Sequence, residues 1–201
     1  MDPAETIDAV REDAATELDR LGSDKLLIAL TDATLEDDAV RQATATRERA
    51  VGRAFEAWAT DEADEATARA FADAAEAAFA RADRIDAPES DVDAFASHLS
   101  TVEGTAGRVG AGLVAAPLLA DRLYLQVVNF FVNEADERSA NLFRDLRADA
   151  ADLQPATDRL AAFDEDGRTV ARSHAADAIE VAYADYADSL EAMGLDPRPV
   201  C

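Results

Sequence analysis

The sequence has few of the residues on which covalent cross-links, metal knuckles and basic binding surfaces depend. Among its 201 residues there is one cysteine, Cys201, and one lysine, Lys25, beside 18 arginines. A single cysteine excludes an intrachain disulfide framework and a cysteine-based metal knuckle. The 19 basic residues are outnumbered by 43 acidic ones, which gives a formal charge of −24. Such a charge repels phosphate backbones in ordinary salt, so we expect no nucleic-acid binding through a basic face.

The acidic residues are spread along the chain between apolar residues instead of forming a tail. Alanine fills 48 positions, and only 12 residues are aromatic. At near-molar ionic strength the Debye length is about 3 Å, so the repulsion among the carboxylates is largely screened. Carboxylates also keep a protein soluble under such conditions. The pattern therefore favours a salt-adapted globular protein from a halophile over a disordered acidic chain.

Targeting and membrane signals are weak in this sequence. Residues 1–5 lack the positive charge and apolar run of a secretion signal. The longest apolar stretch, residues 109–120, is too short to span a bilayer. Extending it to residue 132 places Asp121 and Arg122 near the bilayer centre, where charges are costly. We therefore expect a cytoplasmic protein without membrane contact.

Apolar residues recur at helical spacings of three and four almost everywhere, and no strand-like alternation appears. The predicted helices cover residues 7–21 before Gly22, a short segment after Ser23, a long helix opened by a capping box at 34–37 and running through Trp58, a segment ending at Ile85, residues 91–132 with a kink or break at Pro117, residues 133–153, residues 155–163 and residues 168–193. The sequence thus predicts one all-α domain over residues 1–196, with a four-helix bundle at about 36–153. Extra helices pack outside it at both ends, and residues 197–201 form a loose tail.

Common catalytic motifs are missing. His98 and His174 lie far apart without the spacing of a zinc site. The glycines between residues 104 and 112 lack the Lys-Ser/Thr pair of a phosphate-binding loop. No serine, cysteine or threonine lies in a recognisable nucleophile motif. Chemistry of these classes is therefore not indicated.

One helical pattern does point to metal chemistry. Bundles that hold two iron or manganese ions use a Glu from each of two helices and Glu-x-x-His from the other two. Residues at i and i+3 share a helix face, so both side chains can point at one metal. The corresponding stretches here are residues 47–59 with Glu48, residues 71–85, residues 103–131 and residues 134–143. Over residues 40–148 the chain resembles the ferritin-like superfamily, in its rubrerythrin-type branch.

The chain departs from the ligand set that this resemblance implies. In the second helix the Glu-x-x-His positions fall on Ala78 and Arg81, and in the fourth helix Ser139 replaces the histidine. The carboxylates that remain are candidate metal ligands that we expect to point inward, with Arg81 as a charge that can replace the metal, because buried carboxylates need a compensating partner. These candidate ligands are Glu48, Glu103 and Asp136.

The leading interpretation is a ferritin-like bundle without catalytic residues, metal-free or weakly metal-binding. It would act as an interaction or structural protein, by self-association or with an unidentified protein partner. We expect no cofactor, and iron or manganese is the alternative. With iron, the chain would resemble a rubrerythrin-type peroxide-handling oxidoreductase that depends on an external electron donor. A third alternative is a transcription-associated, antitermination-like role, which these residues do not themselves support.

Overall fold

The computed structural model of the protein describes residues 1–198, and every regular element in that range is helical. This confirms the all-α prediction for the described part of the chain. The α-helices are α1 Pro3–Asp13, α2 Ala15–Leu21, α3 Lys25–Leu30, α4 Asp37–Asp61, α5 Glu65–Ile85, α6 Ala94–Leu99, α7 Thr105–Arg108, α8 Ala116–Asn133, α9 Glu137–Ala150, α10 Gln154–Ala161 and α11 Glu165–Ala192, with a π-helical segment Val109–Ala115 between α7 and α8.

Two helical hairpins occupy the middle of the chain. Helices α4 and α5 are joined by residues 62–64, and α8 and α9 by residues 134–136, connections short enough to make each pair antiparallel neighbours. Helix α5 packs mainly against α4, and α9 mainly against α8. On α5 the buried residues follow the helical period and include Phe71, Ala75, Ala78 and Ala82. The two hairpins are therefore each closely packed.

The third long helix contains the main irregularity of the fold. Helix α7, the π-helical segment and α8 run continuously from Thr105 to Asn133. All seven residues of the π-helical segment are buried. Pro117 is the second residue of α8, directly after Ala116. The helix is therefore not divided at Pro117, and its irregularity is the π-helical segment that ends two residues before the proline.

Helix α11 packs against this irregular segment. Its buried stripe is alanine-rich and lies against the π-helical segment, α7 and the N-terminal helices. One hydrophobic cluster extends from Ile7 to Leu190. The last helix, which we expected outside the bundle, therefore contributes to the same core as the two hairpins.

Several helix boundaries differ from the sequence prediction. The first predicted helix is divided at Ala14, and Glu36, not Thr34, precedes α4 without a side-chain cap. Residues 86–93 form no helix, so the long segment predicted from Asp91 begins only at α6 and is interrupted again before Thr105. Aspartates at positions 93, 136 and 164 cap α6, α9 and α11 through their side chains. These caps determine where the three helices begin, which the spacing of apolar residues does not show.

The end of the described chain is held by side chains of the N-terminal region and of α11. Lys25 donates hydrogen bonds from Nζ to the carbonyl oxygens of Asp196 and Arg198, each at 2.8 Å. The hydroxyl of Tyr186 donates to the carbonyl oxygen of Pro197 at 3.1 Å. Two residues of the predicted loose tail, Pro197 and Arg198, are therefore in contact with the fold. Residues 199–201 lie outside the described residues.

The helix Thr105–Asn133 is long and apolar enough to cross a membrane by length and composition, and 67% of its most apolar window is buried inside the fold. A buried core helix and a membrane span can have the same length and the same apolar composition.

Candidate functional site

A buried carboxylate lies where the two hairpins meet. Glu48 of α4 is 6% exposed. Arg81 of α5 places Nε and Nη2 each 2.9 Å from its Oε2 atom. Tyr124 of α8 donates its hydroxyl to the Oε1 atom at 2.9 Å. Both oxygens of the Glu48 carboxylate therefore have partners, contributed by two other helices. We call Glu48, Arg81 and Tyr124 the polar triad.

The helical period brings these three side chains together. Glu48 continues the buried face of α4 that carries Thr44, Val51 and Phe55. Arg81 lies between the buried small residues Ala78 and Ala82, which leave room for a guanidinium beside α4. Tyr124 is fully buried on α8, and its ring lies 6.1 Å from that of Phe143 on α9. All four helices of the two hairpins thus contribute to the surroundings of Glu48.

The electrostatics of the polar triad favour a charged pair beside a neutral phenol. Burial of Arg81 opposes its charged form, but the negative charge of Glu48 outweighs this effect, so the pKa of the guanidinium is raised. Burial raises the pKa of the Tyr124 hydroxyl well above its usual value, and the nearby Glu48 carboxylate adds to this increase. A protonated phenol can donate its hydrogen bond, so the triad is internally satisfied at neutral pH.

The structure does not bring the three predicted carboxylates together. Only Glu48 points into the interior. Glu103 is exposed in the turn before α7. Asp136 caps α9 and accepts hydrogen bonds from the backbone and hydroxyl of Ser139, so the inward orientation expected for Glu103 and Asp136 is wrong. Within residues 1–198 no group of three or more His, Cys, Asp and Glu side chains is placed to hold a metal ion.

The charge substitution suggested by the sequence is present at Glu48, where Arg81 supplies the positive charge. Sequence reasoning missed Tyr124, which is the group of the third helix that reaches Glu48. A tyrosine on a largely apolar helix was the available signal, because a buried phenol hydroxyl needs a partner. The residue of the third helix that faces Glu48 is therefore Tyr124 and not Glu103.

A cavity of about 380 Å³ lies beside the polar triad. This volume falls within the range of small-molecule pockets, which is roughly 300–1,000 Å³. It is bounded by α4, α5, α6, the π-helical segment, α8 and the region from the end of α9 to α10. Most of its lining is apolar, and this part comprises Val51, Phe55, Ala66, Ala70, Ala74, Ala77, Phe95, Gly112, Leu113, Ala116, Pro117, Leu119, Ala120, Leu123, Ala150 and Pro155.

The cavity exists because the two hairpins are not closely packed along their whole length. On one side, α5 and α9 are joined by exposed ion pairs from Arg84 to Asp149 at 3.3 Å and to Asp145 at 3.9 Å. At the inner wall, Gly112 lies close to aromatic rings, since a Cβ atom there would be 2.5 Å from Trp58 and 2.6 Å from Phe55. The π-helical segment therefore shapes this wall.

The polar part of the lining has two regions. The inner wall contains Glu48 and Arg81, together with Arg47. Arg47 Nε lies 2.6 Å from Oδ2 of Asp93, an ion pair by distance although the N–H is not directed along a hydrogen bond. The rim contains the charged residues Arg69, Asp73, Asp149, Asp152, Asp158 and Arg159. An apolar interior with a few polar groups is typical of ligand sites.

Comparisons of this chain with protein-family models, with curated proteins and with solved structures gave no match.

Proposed function

We propose that this protein is a non-catalytic binding protein, a ferritin-like bundle that holds a small, largely apolar molecule in the cavity beside the polar triad. The observation that carries this proposal is the cavity itself, about 380 Å³ of mostly apolar space. Cavities in helical bundles are common positions for ligands. A gap of this size between two otherwise well-packed hairpins lowers stability, and a molecule bound in it would offset that cost.

The ferritin-like part of the proposal depends on the positions of Glu48 and Arg81. They occupy the inward ligand positions expected for the first and second helices of such a bundle. The third helix contributes Tyr124 to the surroundings of Glu48, and Phe143 of the fourth helix packs against the Tyr124 ring. On this interpretation the polar triad stands where related bundles hold their metals.

Binding rather than metal chemistry is supported by the state of Glu48. A metal ligand needs a carboxylate oxygen with a free lone pair facing the ion. Here Arg81 and Tyr124 take three of the roughly four acceptor sites of the carboxylate, and a cation at the remaining site on Oε1 would lie beside the guanidinium. Metal binding at this position would require Arg81 to leave, because two positive charges would otherwise be buried together.

The working environment that we propose is the interior of a high-salt cell. The formal charge of −24 is distributed over exposed helix faces. At near-molar salt this repulsion is screened, so the bundle can keep its compact form.

The binding proposal can be tested with a neutral aromatic probe, N-phenyl-1-naphthylamine, whose fluorescence rises in apolar surroundings. We expect saturable binding to a single site in near-molar salt. Ala74→Phe places a ring in the cavity and should abolish binding. Ala72→Phe is the matched control, because Ala72 is exposed on another face of the same helix. Absence of saturable binding, or equal loss in both variants, contradicts the proposal.

The metal-free part of the proposal has its own test. The protein is purified in its native salt without added metal and analysed for iron and manganese, before and after reconstitution. We expect no stoichiometric metal in either sample. Stoichiometric iron that is lost in Glu48→Gln would instead support the rubrerythrin-type alternative.

A further inference from the structure

We infer that the molecule bound in the cavity is an amphipathic acid, with an apolar body inside and one anionic group held at the rim by Arg69 and Arg159. This inference rests on the proposed binding function and adds the chemical class of the ligand. A carboxylate is the simplest anionic group that a guanidinium recognises.

The first observation is that Arg69 has no partner in the described part of the chain. In a chain with 43 acidic and 19 basic residues, most guanidinium groups can find a carboxylate nearby. Among residues 1–198, Arg69 forms neither an ion pair nor a hydrogen bond, a state that it shares with Arg49 and Arg138, and of these three arginines Arg69 lines the cavity. Its donors are therefore available to a ligand.

The second observation is that Arg159, on the same rim, is only loosely paired. Its Nη1 atom lies 3.8 Å from Oδ1 of Asp64, which is too long for a hydrogen bond. That oxygen already accepts hydrogen bonds from the backbone N–H and the hydroxyl of Thr67, each at 2.8 Å. The Arg159 side chain is only 20% exposed. A second guanidinium thus lines the cavity without a direct hydrogen bond to a carboxylate.

Most of the acidic residues at the rim are already engaged. Asp149 pairs with Arg84 at 3.3 Å. Gln154 donates to two further aspartates: its backbone N–H to Asp152 at 2.9 Å and its side-chain amide to Asp158 at 2.7 Å. Hydrogen bonds from Gln154 do not neutralise Asp152 and Asp158, so the rim stays acidic overall, and Arg69 and Arg159 are its two cations whose donors have no hydrogen bond to a carboxylate within the described residues.

Asp73 is the acidic residue that opposes this arrangement. It lines the rim one helical turn after Arg69 and accepts no hydrogen bond within the described residues. Its carboxylate competes with an anionic ligand for Arg69, because residues at i and i+4 are neighbours on a helix. Removing the charge of Asp73 should therefore strengthen binding of an anionic ligand, whereas removing the charges of the arginines should weaken it.

The experiment measures displacement of N-phenyl-1-naphthylamine by a medium-chain fatty acid and by the alcohol of the same chain length. We expect the acid to bind about two- to fivefold more tightly than the alcohol, the range of an exposed ion pair. The double variant Arg69→Gln/Arg159→Gln should remove this preference without weakening the alcohol. Asp73→Asn should increase the preference. The control Arg138→Gln/Arg144→Gln removes the same amount of positive charge at exposed positions of α9 and should leave the preference for the acid unchanged.

The outcomes separate the two proposals. If the neutral probe binds and is lost in Ala74→Phe, but acid and alcohol bind equally, the binding function stands and the acidic ligand class is wrong. A preference that survives in Arg69→Gln/Arg159→Gln, or that disappears equally in the α9 control, also overturns the ligand class. If the neutral probe does not bind, both proposals fail.

Discussion

Arg81 approaches Glu48 with two nitrogen atoms, Nε and Nη2, each 2.9 Å from the same carboxylate oxygen. The two side chains are 13% and 7% exposed, so the pair is buried between α4 and α5. Removing one partner of a buried ion pair leaves the other charge buried without compensation, which lowers the free energy of unfolding strongly. Replacing both partners with neutral side chains lowers it much less.

We therefore predict that Arg81→Met lowers the free energy of unfolding by about 3 kcal/mol. The double variant Glu48→Gln/Arg81→Met should recover most of this loss, because the amide oxygen of the introduced glutamine would still accept the hydrogen bond of Tyr124. Chemical denaturation in the native salt measures both values. The control is Arg84→Met, whose exposed pair with Asp149 should contribute at most about 1 kcal/mol. An equal loss for Arg81→Met and Arg84→Met contradicts a central role for the polar triad.

The second prediction concerns alkaline pH. The pKa of Tyr124 is raised in the folded protein, chiefly by burial and then by Glu48. Its contribution to stability is therefore complete below a pH of about 10, where the unfolded phenol titrates. Above that pH the unfolded state releases a proton that the folded state retains, so stability falls. Above a pH of about 10, the stability of Tyr124→Phe should fall less steeply with pH than that of the wild type.

At neutral pH the same variant should be less stable than the wild type by about 1–2 kcal/mol, because Oε1 of Glu48 loses its donor. Denaturation curves at the two pH values provide this comparison, and the ultraviolet absorbance of tyrosinate follows ionisation directly. Ionisation of all three tyrosines in the folded state near their usual pKa would show that the Tyr124 hydroxyl is not enclosed.

The third prediction separates Asp136 from Glu103. Hydrogen bonds from Ser139 lower the pKa of Asp136, so its stabilising effect is present above a pH of about 4 and is lost as the pH falls. Asp136→Asn should keep the cap but reduce the acid sensitivity of unfolding, and Asp136→Ala should also lower stability at neutral pH. Glu103→Gln, on an exposed turn, should change neither. A larger effect of Glu103→Gln than of Asp136→Ala contradicts this assignment.

The sequence predicted the helices of the first hairpin well because their apolar residues follow a clean helical period. The stripe of Phe71, Ala75 and Ala82 placed α5 correctly up to its end at Ile85. The expectation that Arg81 pairs with Glu48 came from the resemblance to a ferritin-like bundle, which puts both residues at inward positions of neighbouring helices. Local periodicity is sufficient where each helix buries one face.

The rest of the site depends on distances between helices, which a single sequence does not contain. Glu103 was expected to lie on the third helix, predicted over residues 103–131, but that helix begins only at Thr105. The pattern Asp136-x-x-Ser139 fits a helix cap as well as a ligand position, and the structure has the cap. The cavity arises from the spacing of two hairpins and from a π-helical segment, neither of which apolar periodicity predicts.

That π-helical segment leads to the fourth prediction, at its contact with α11. A Cβ atom added to Gly110 would lie 1.9 Å from the carbonyl oxygen of Ala171, which is backbone and can move only if α11 moves. Gly110→Ala should therefore lower the free energy of unfolding by about 2–3 kcal/mol. One turn earlier, a Cβ atom on Gly107 would meet only the ring of His174, at 3.1 Å.

Because the His174 ring can rotate aside, Gly107→Ala should cost about 1 kcal/mol or less, and the added variant His174→Ala should remove this cost. His174→Ala should not relieve Gly110→Ala, since the atoms in conflict there belong to the backbone of α11. Denaturation of the single and double variants measures both couplings. Equal costs at the two glycines would mean that α11 adjusts freely against the π-helical segment, and that the wall of the cavity is not fixed by this contact.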